Sequence, residues 1–130
     1  MNRMRIGMVV ATLLLSLVTF AGAARADKAA ATVEAPDRVA KGTEIILKIH
    51  VTHSENSFLH YVSWLRVRVN GEEIKEWEYS VSHRPEGARF TKEVRLVIKE
   101  TSEVEAEANC SLHGSKGPGR KTITVTPAAQ

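Results

Sequence analysis

From residue 32 onward, apolar and polar residues alternate with a period of two in a series of short runs. This alternation is typical of β-strands that bury one face and expose the other. None of the runs has the 3.6-residue period of an amphipathic helix. Segments rich in Gly, Pro, Asn and Ser separate the runs and are typical of turns. We predict strands over residues 32–34, 44–51, 61–69, 73–80, 90–99, 104–109 and 122–125.

The connections between these strands indicate the architecture. Asn70-Gly71 separates two strands and is a strong signal for a two-residue hairpin. Residues 39–43, 84–87 and 115–120 are predicted as breaks or loops, and residues 27–31 as a flexible start. About seven short strands joined by turns predict an all-β fold, an Ig-like antiparallel β-sandwich.

The N-terminus has a different pattern. Arg3 and Arg5 precede an uncharged apolar run of about 15 residues, which ends in small residues and Ala24-Arg25-Ala26. This order is typical of a secretory signal peptide. The run is shorter than the roughly 20 residues of a membrane-spanning helix, which makes a retained anchor the second interpretation. We therefore predict a signal peptide over residues 1–26, cleavage after Ala26, a single domain over residues 27–130, and a periplasmic or secreted location.

Removal of residues 1–26 changes the charge balance. Three of the 18 basic residues and none of the 15 acidic residues lie there, so the remaining chain has 15 of each and no net charge. This balance gives no reason to expect nucleic acid or a membrane as a partner once the signal peptide is removed. All three methionines also lie within residues 1–26.

The candidate chemistry lies in one cysteine and five histidines. Cys110 has no partner for an internal disulfide, so it forms a bridge between chains, is a buried bystander or acts as a thiolate. Residues 50–60 contain three of the histidines, and Cys110-Ser-Leu-His113 brings a thiolate and an imidazole together. These ligand types suit iron, copper and zinc. The combination indicates a metal site, although each histidine alone is typical of an ordinary surface or core residue.

Three segments carry a resemblance to a known family. They are residues 33–42 (VEAPDRVAKG), residues 53–64 (HSENSFLHYVSW) and residues 110–114 (CSLHG). In order and approximate spacing they resemble the iron domain of the superoxide reductases, which are also called desulfoferrodoxins or neelaredoxins. The last two segments together are fairly specific for that family, whereas the first is weak alone.

The resemblance implies a mononuclear iron site, with Cys110 as the axial thiolate and His53, His60 and His113 as equatorial ligands. It implies reduction of superoxide to hydrogen peroxide, with electrons from an external donor protein of unknown identity. Lys28 matches the family lysine that lies over the open iron face, although a solvated lysine near the N-terminus is the simpler interpretation.

Two positions depart from the family pattern. Ala29 stands where the family has its fourth equatorial histidine, and His53 and His60 are seven rather than six positions apart. His50, His83 or water are the candidates for the missing donor. His50 and His53 would point to opposite faces of an unbroken strand, which argues against both binding one ion.

Two further functions stay open. One is a metal-binding or electron-transfer module without enzymatic activity, carrying iron or, as a less favoured alternative, copper. A blue-copper site also uses a cysteine and two histidines, but its usual axial methionine is absent after residue 26. The other is a metal-free accessory domain. A hydrolase is disfavoured because no Gly-x-Ser-x-Gly motif is present, and a zinc hydrolase with Glu55 as general base ranks low.

Overall fold

A computed structural model describes residues 27–127, so the predicted signal peptide lies outside the described residues. Within this range the chain forms strands and no helix, and no segment is a helix long and apolar enough to cross a membrane. The strands are β1 (Ala30–Glu34), β2 (Arg38–Ala40), β3 (Thr43–Thr52), β4 (Val62–Val69), β5 (Glu72–Glu78), β6 (Arg89–Ile98), β7 (Ser102–Cys110) and β8 (Gly119–Thr126).

The strands form two sheets, one of three strands in the order β1-β3-β6 and one of five in the order β2-β8-β7-β4-β5. All pairs are antiparallel except β2 with β8, which is parallel. The prediction of an all-β sandwich is confirmed. The strand missing from the prediction is β2, a three-residue element where the sequence indicated a break, because it is too short to show an alternating pattern.

The period-two pattern decides which side chains fill the core. On β3 the buried positions are Ile45, Leu47, Ile49 and Val51, and the residues between them face outward. The buried series on β7 ends at Cys110, the last residue of that strand. The cysteine therefore points into the sandwich at one end of the sheet, where the following loop begins.

The predicted hairpin is present between β4 and β5. Asn70 and Gly71 both have positive φ, 51° and 82°, as a type I′ turn requires. The Asn70 side-chain oxygen also accepts a hydrogen bond of 2.9 Å from the Glu103 amide, which ties the turn to β7.

The start of the described chain is ordered, contrary to the flexible segment that its composition suggested. Ala29 is fully buried, and its carbonyl accepts a 2.9 Å hydrogen bond from the Lys116 amide. β1 also lies close to β8, since a Cβ added to Gly119 would lie 3.1 Å from the Thr32 Cα. This close packing holds Asp27 beside the loops that follow β3 and β7.

Candidate metal centre

Loops at one end of the sandwich bring three of the predicted ligands together. His53 follows β3, His60 precedes β4 and Cys110 ends β7. One donor atom from each of these residues lies within 4.8 Å of the other two. His53 and Cys110 are buried and His60 is partly buried, so the group is largely shielded from water.

A tight turn fixes Cys110 and His113 relative to each other. The amides and carbonyls of Cys110 and Gly114 bond reciprocally, at 2.8 and 3.1 Å, and Gly114 has a φ of 83°. Within this turn the amides of Leu112 and His113 point at the Cys110 Sγ, at 3.5 and 3.4 Å. Backbone N–H groups directed at one sulfur favour negative charge on it, which suits a thiolate ligand.

Glu55 orients both histidines of the loop between β3 and β4. Its backbone carbonyl lies 2.7 Å from the His53 Nδ1, and its carboxylate lies 3.1 Å from the His60 Nδ1. Because both oxygens only accept, each Nδ1 is the donor to Glu55, and the Nε2 of each ring is left free of this contact. This outer hydrogen bonding is typical of histidines that bind metals.

His113 completes the cluster from the β7 side. Its Nδ1 lies 3.2 Å from the His60 Nε2, 3.8 Å from the Cys110 Sγ and 3.1 Å from the Asp27 carbonyl. This nitrogen therefore faces a second imidazole and the sulfur at once. Binding of a cation there requires the His113 proton to lie on the outer nitrogen, and metal binding of this kind is coupled to proton release.

The donor set fits a transition-metal ion. The His53 side chain is fully buried, and its Nε2 has no hydrogen-bond partner among the described residues. An orphaned buried nitrogen is costly unless a ligand satisfies it. One nitrogen of His53, one nitrogen of His60 and the Cys110 Sγ lie within 4.8 Å of one another. A thiolate with two or three imidazoles suits iron, copper or zinc.

Asp27 is a member of the site that the sequence did not indicate. Its carboxylate lies 3.1 Å from the His53 Nε2 and accepts hydrogen bonds from the amide and the hydroxyl of Ser54. Burial raises the pKa of Asp27, but the bonds from Ser54 and the nearby rings of His53 and His60 lower it, and the net effect is a lowered pKa. The carboxylate is therefore ionised at neutral pH.

The other predicted site residues lie apart from the cluster. His50 is on the outer face of β3, where its ring nitrogens bond to Glu34 at 2.6 Å and Thr91 at 2.8 Å. His83 is exposed in the loop after β5. Neither belongs to the group of donor atoms around Cys110. Lys28 is exposed and directly follows Asp27.

Comparison with known families gives one clear match. The model of the Desulfoferrodoxin family matches residues 22–115, which is most of the chain. A search of curated proteins finds no match. The matched range includes every member of the cluster described above.

Solved structures show the same fold at low identity. The superoxide reductase (neelaredoxin) from Ignicoccus hospitalis matches at a TM-score of 0.58 and 21% identity, over 82% of this chain and 89% of that one. A candidate superoxide reductase from Thermotoga maritima matches at a TM-score of 0.57 and 20% identity, over 75% of this chain and 86% of that one. The CARDB domain of a Pyrococcus furiosus protein matches at a TM-score of 0.55 and 14% identity, over 77% of this chain and 89% of that one. The fold thus extends beyond one function, and the site must support any assignment.

Proposed function

The chain belongs to the desulfoferrodoxin family, and on this premise we propose that it reduces superoxide to hydrogen peroxide at a mononuclear iron centre. The observation that carries the proposal is the convergence of the His53, His60 and Cys110 donor atoms, with His113 in contact with two of them. Family membership makes iron the expected metal and superoxide the expected substrate.

The proposed ligands are the Cys110 thiolate and the nitrogens of His53, His60 and His113. Iron bound by them would supply one electron to superoxide, and two protons complete the conversion to hydrogen peroxide. An external donor must return that electron, because the chain has no cysteines for a second redox centre. Lys28 is exposed and directly follows Asp27, and its positive charge would attract the superoxide anion.

The residues around the site have separate tasks in this proposal. The amides of Leu112 and His113 hold the thiolate of Cys110, and Glu55 holds the two loop histidines with their Nε2 atoms facing the ion. Such outer contacts tune the reduction potential of a metal centre. Because residues 1–26 are predicted to be a signal peptide, the proposed activity would take place in the periplasm or outside the cell.

Metal analysis with spectroscopy tests the proposal. The full chain is expressed with export, purified without chelators, and analysed for metals and for absorbance before and after oxidation. We expect about one iron per chain, a thiolate-to-iron band in the oxidised protein, and peroxide formation with superoxide faster than with free iron. Cys110→Ala should abolish the band, whereas the matched control His50→Ala should keep it. Absence of both iron and the band from folded protein would refute the proposal and favour a metal-free domain.

A copper electron-transfer protein is the second candidate. The group of one thiolate and two imidazoles at His53, His60 and Cys110 is also the equatorial set of a blue-copper site. No methionine is present after residue 26 to act as the usual axial ligand. Copper rather than iron in the metal analysis, with a strong visible band and no peroxide formation, would favour this candidate.

A further inference from the structure

We propose that the end of the sandwich that carries the candidate metal centre binds to the surface of an anionic lipid membrane. Apolar side chains of two loops enter the boundary between headgroups and acyl chains, and the basic side chains around them contact lipid phosphates. The inference concerns the outer surface of these loops rather than the ligands, so it stands apart from the proposed function.

Three large apolar side chains of these loops face the solvent. Phe58 is 64% exposed, Leu59 68% and Leu112 61%, whereas the other exposed large hydrophobic residues in the described part of the chain lie between 37% and 45%. Phe58 and Leu59 lie midway between β3 and β4, and Leu112 lies midway between Cys110 and Gly114. Exposed apolar groups gathered at one place are typical of surfaces that bind a protein or a membrane.

Hydrogen bonds hold the two loops side by side. The Ser111 hydroxyl donates to the Leu59 carbonyl at 3.3 Å and accepts from the Tyr61 amide at 3.2 Å. The Ser111 amide also donates to the Tyr61 carbonyl at 2.9 Å. Leu59 and Leu112 therefore lie on segments that are bonded directly to each other, and we call Phe58, Leu59 and Leu112 the apolar rim.

Exposed basic side chains lie on the segments around the apolar rim, which are residues 27–29, 53–61, 79–89 and 111–118. The Asn56 side chain donates to the Pro85 carbonyl at 2.8 Å, and the Lys116 amide donates to the Ala29 carbonyl at 2.9 Å, so these segments meet at one end of the sandwich. Four basic residues there are exposed and form no ion pair with any described residue: Lys28, Arg84, Arg89 and Lys116.

The carboxylates of the same segments already have partners. Asp27 lies beside His53 and Glu55 beside His60, and Glu86 pairs with Lys92. The charges without a partner on these segments are therefore positive, although the chain after residue 26 has no net charge. An anionic surface would supply the missing partners.

A lipid surface fits this combination better than a protein does. A specific protein interface buries about 800 Å² on each partner, whereas the apolar rim consists of three side chains. A second copy of this chain would bring the unpaired cations of both copies together, which is unfavourable. A bilayer accepts a few apolar side chains at its interface, pairs its phosphates with basic ones and requires no complementary shape.

Binding in this orientation would bring the candidate centre to the membrane surface, because His60 directly follows Leu59 and His113 directly follows Leu112. Vesicle sedimentation tests it. The exported protein is purified, its N-terminus is established by mass spectrometry, and it is mixed with vesicles of phosphatidylglycerol and phosphatidylcholine in equal parts or of phosphatidylcholine alone. We expect binding to the mixed vesicles that weakens with added salt, and much weaker binding to phosphatidylcholine alone. Metal-free and iron-loaded protein should both bind, so a failure of the proposed function would leave this result unchanged.

A matched pair of double variants tests the apolar rim. Phe58→Ser with Leu59→Ser should lower the partition coefficient for the mixed vesicles by about tenfold or more. Ile46→Ser with Val97→Ser should leave it unchanged, because these residues are 41% and 45% exposed on the outer face of the three-stranded sheet. Equal losses in the two double variants would overturn the role of the apolar rim.

A second pair tests the basic residues. Lys116→Gln should lower the partition coefficient by about fivefold, the effect of one basic side chain near an anionic surface. Lys48→Gln should leave it nearly unchanged, because Lys48 is exposed on the outer face of β3. Failure of the native protein to sediment with the mixed vesicles at low salt would overturn the proposal. A native dimer that Phe58→Ser with Leu59→Ser converts to a monomer in analytical ultracentrifugation, without lipid binding, would assign the surface to a second copy instead.

Discussion

Truncation of Glu55 tests how the loop histidines are held. In Glu55→Ala the backbone carbonyl that accepts from His53 stays in place, whereas the carboxylate that lies 3.1 Å from the His60 Nδ1 is removed. The His60 ring then loses the partner that fixes its proton on Nδ1 and directs its Nε2 toward Cys110. The Ser57 hydroxyl, 3.2 Å from the same carboxylate, loses this acceptor and keeps the His60 carbonyl at 3.3 Å.

The expected loss of metal affinity in Glu55→Ala follows from the solvent exposure of the Glu55–His60 pair. Removal of an outer hydrogen-bond partner of a metal ligand typically weakens metal binding by about 10- to 100-fold. The Glu55 side chain is 55% exposed, so water partly replaces it and the lower end of that range applies. We expect about a tenfold loss of affinity, which corresponds to about 1.4 kcal/mol of binding free energy.

The assay is a competition titration of Fe²⁺ or Co²⁺ against a chromogenic chelator. Glu44→Ala is the matched control, because Glu44 is 58% exposed, lies near the start of β3 away from His53, and forms an ion pair of 3.2 Å with Arg95 of the adjacent strand β6. The metal affinity of the Glu44→Ala variant should equal that of the native protein. Equal affinities for Glu55→Ala and the native protein would refute the positioning role, and an equal loss in Glu44→Ala would attribute the effect to net charge.

Two further predictions concern stability. Gly119→Ala should lower the free energy of unfolding by about 1–3 kcal/mol, because the new Cβ would clash with the Ala31 carbonyl oxygen and would lie 3.1 Å from the Ala31 carbonyl carbon and the Thr32 Cα. Denaturant unfolding checks this against Gly87→Ala, whose Cβ meets only an ordinary contact of 3.4 Å, and equal losses would contradict it. Burial, helped by the charge of Glu86, raises the pKa of Tyr79 from 10.0 to about 12. The folded state therefore binds the phenol proton more tightly than the unfolded state does. The free energy of unfolding should fall as the pH rises from about 10 to about 12. Tyr79→Phe should lack this fall in unfolding curves across the same range, and parallel curves for the two proteins would count against the assignment.

The alternating pattern predicted the sandwich because strand faces are a local property of the sequence. It located most of the strands, and the buried series on β7 explains why Cys110 points inward. The same reasoning predicted that His50 and His53 would point apart. In the structure β3 ends at Thr52, His50 lies on its outer face and His53 is buried beyond its end.

Asp27 and Glu55 could not be assigned their places from the sequence, because their contacts are tertiary. Asp27 meets Ser54 and His53 only because β1 pairs with β3 in register and brings the two chain segments together. Glu55 acts on His53 through its backbone carbonyl, which no residue type reveals. Runs of alanine and charge at the N-terminal side indicated flexibility, whereas small side chains there allow burial beside the loops.

Ala29 places a methyl group in the core at the position where the family pattern has a histidine. The residue is fully buried, and its amide and carbonyl are bonded to Gly114 and Lys116 in the loop that follows Cys110. A methyl group has no donor atom, so this position contributes no ligand to the cluster. Asp27, two residues earlier and partly exposed, is the neighbour whose carboxylate lies 3.1 Å from the His53 Nε2, a buried nitrogen with no hydrogen-bond partner among the described residues.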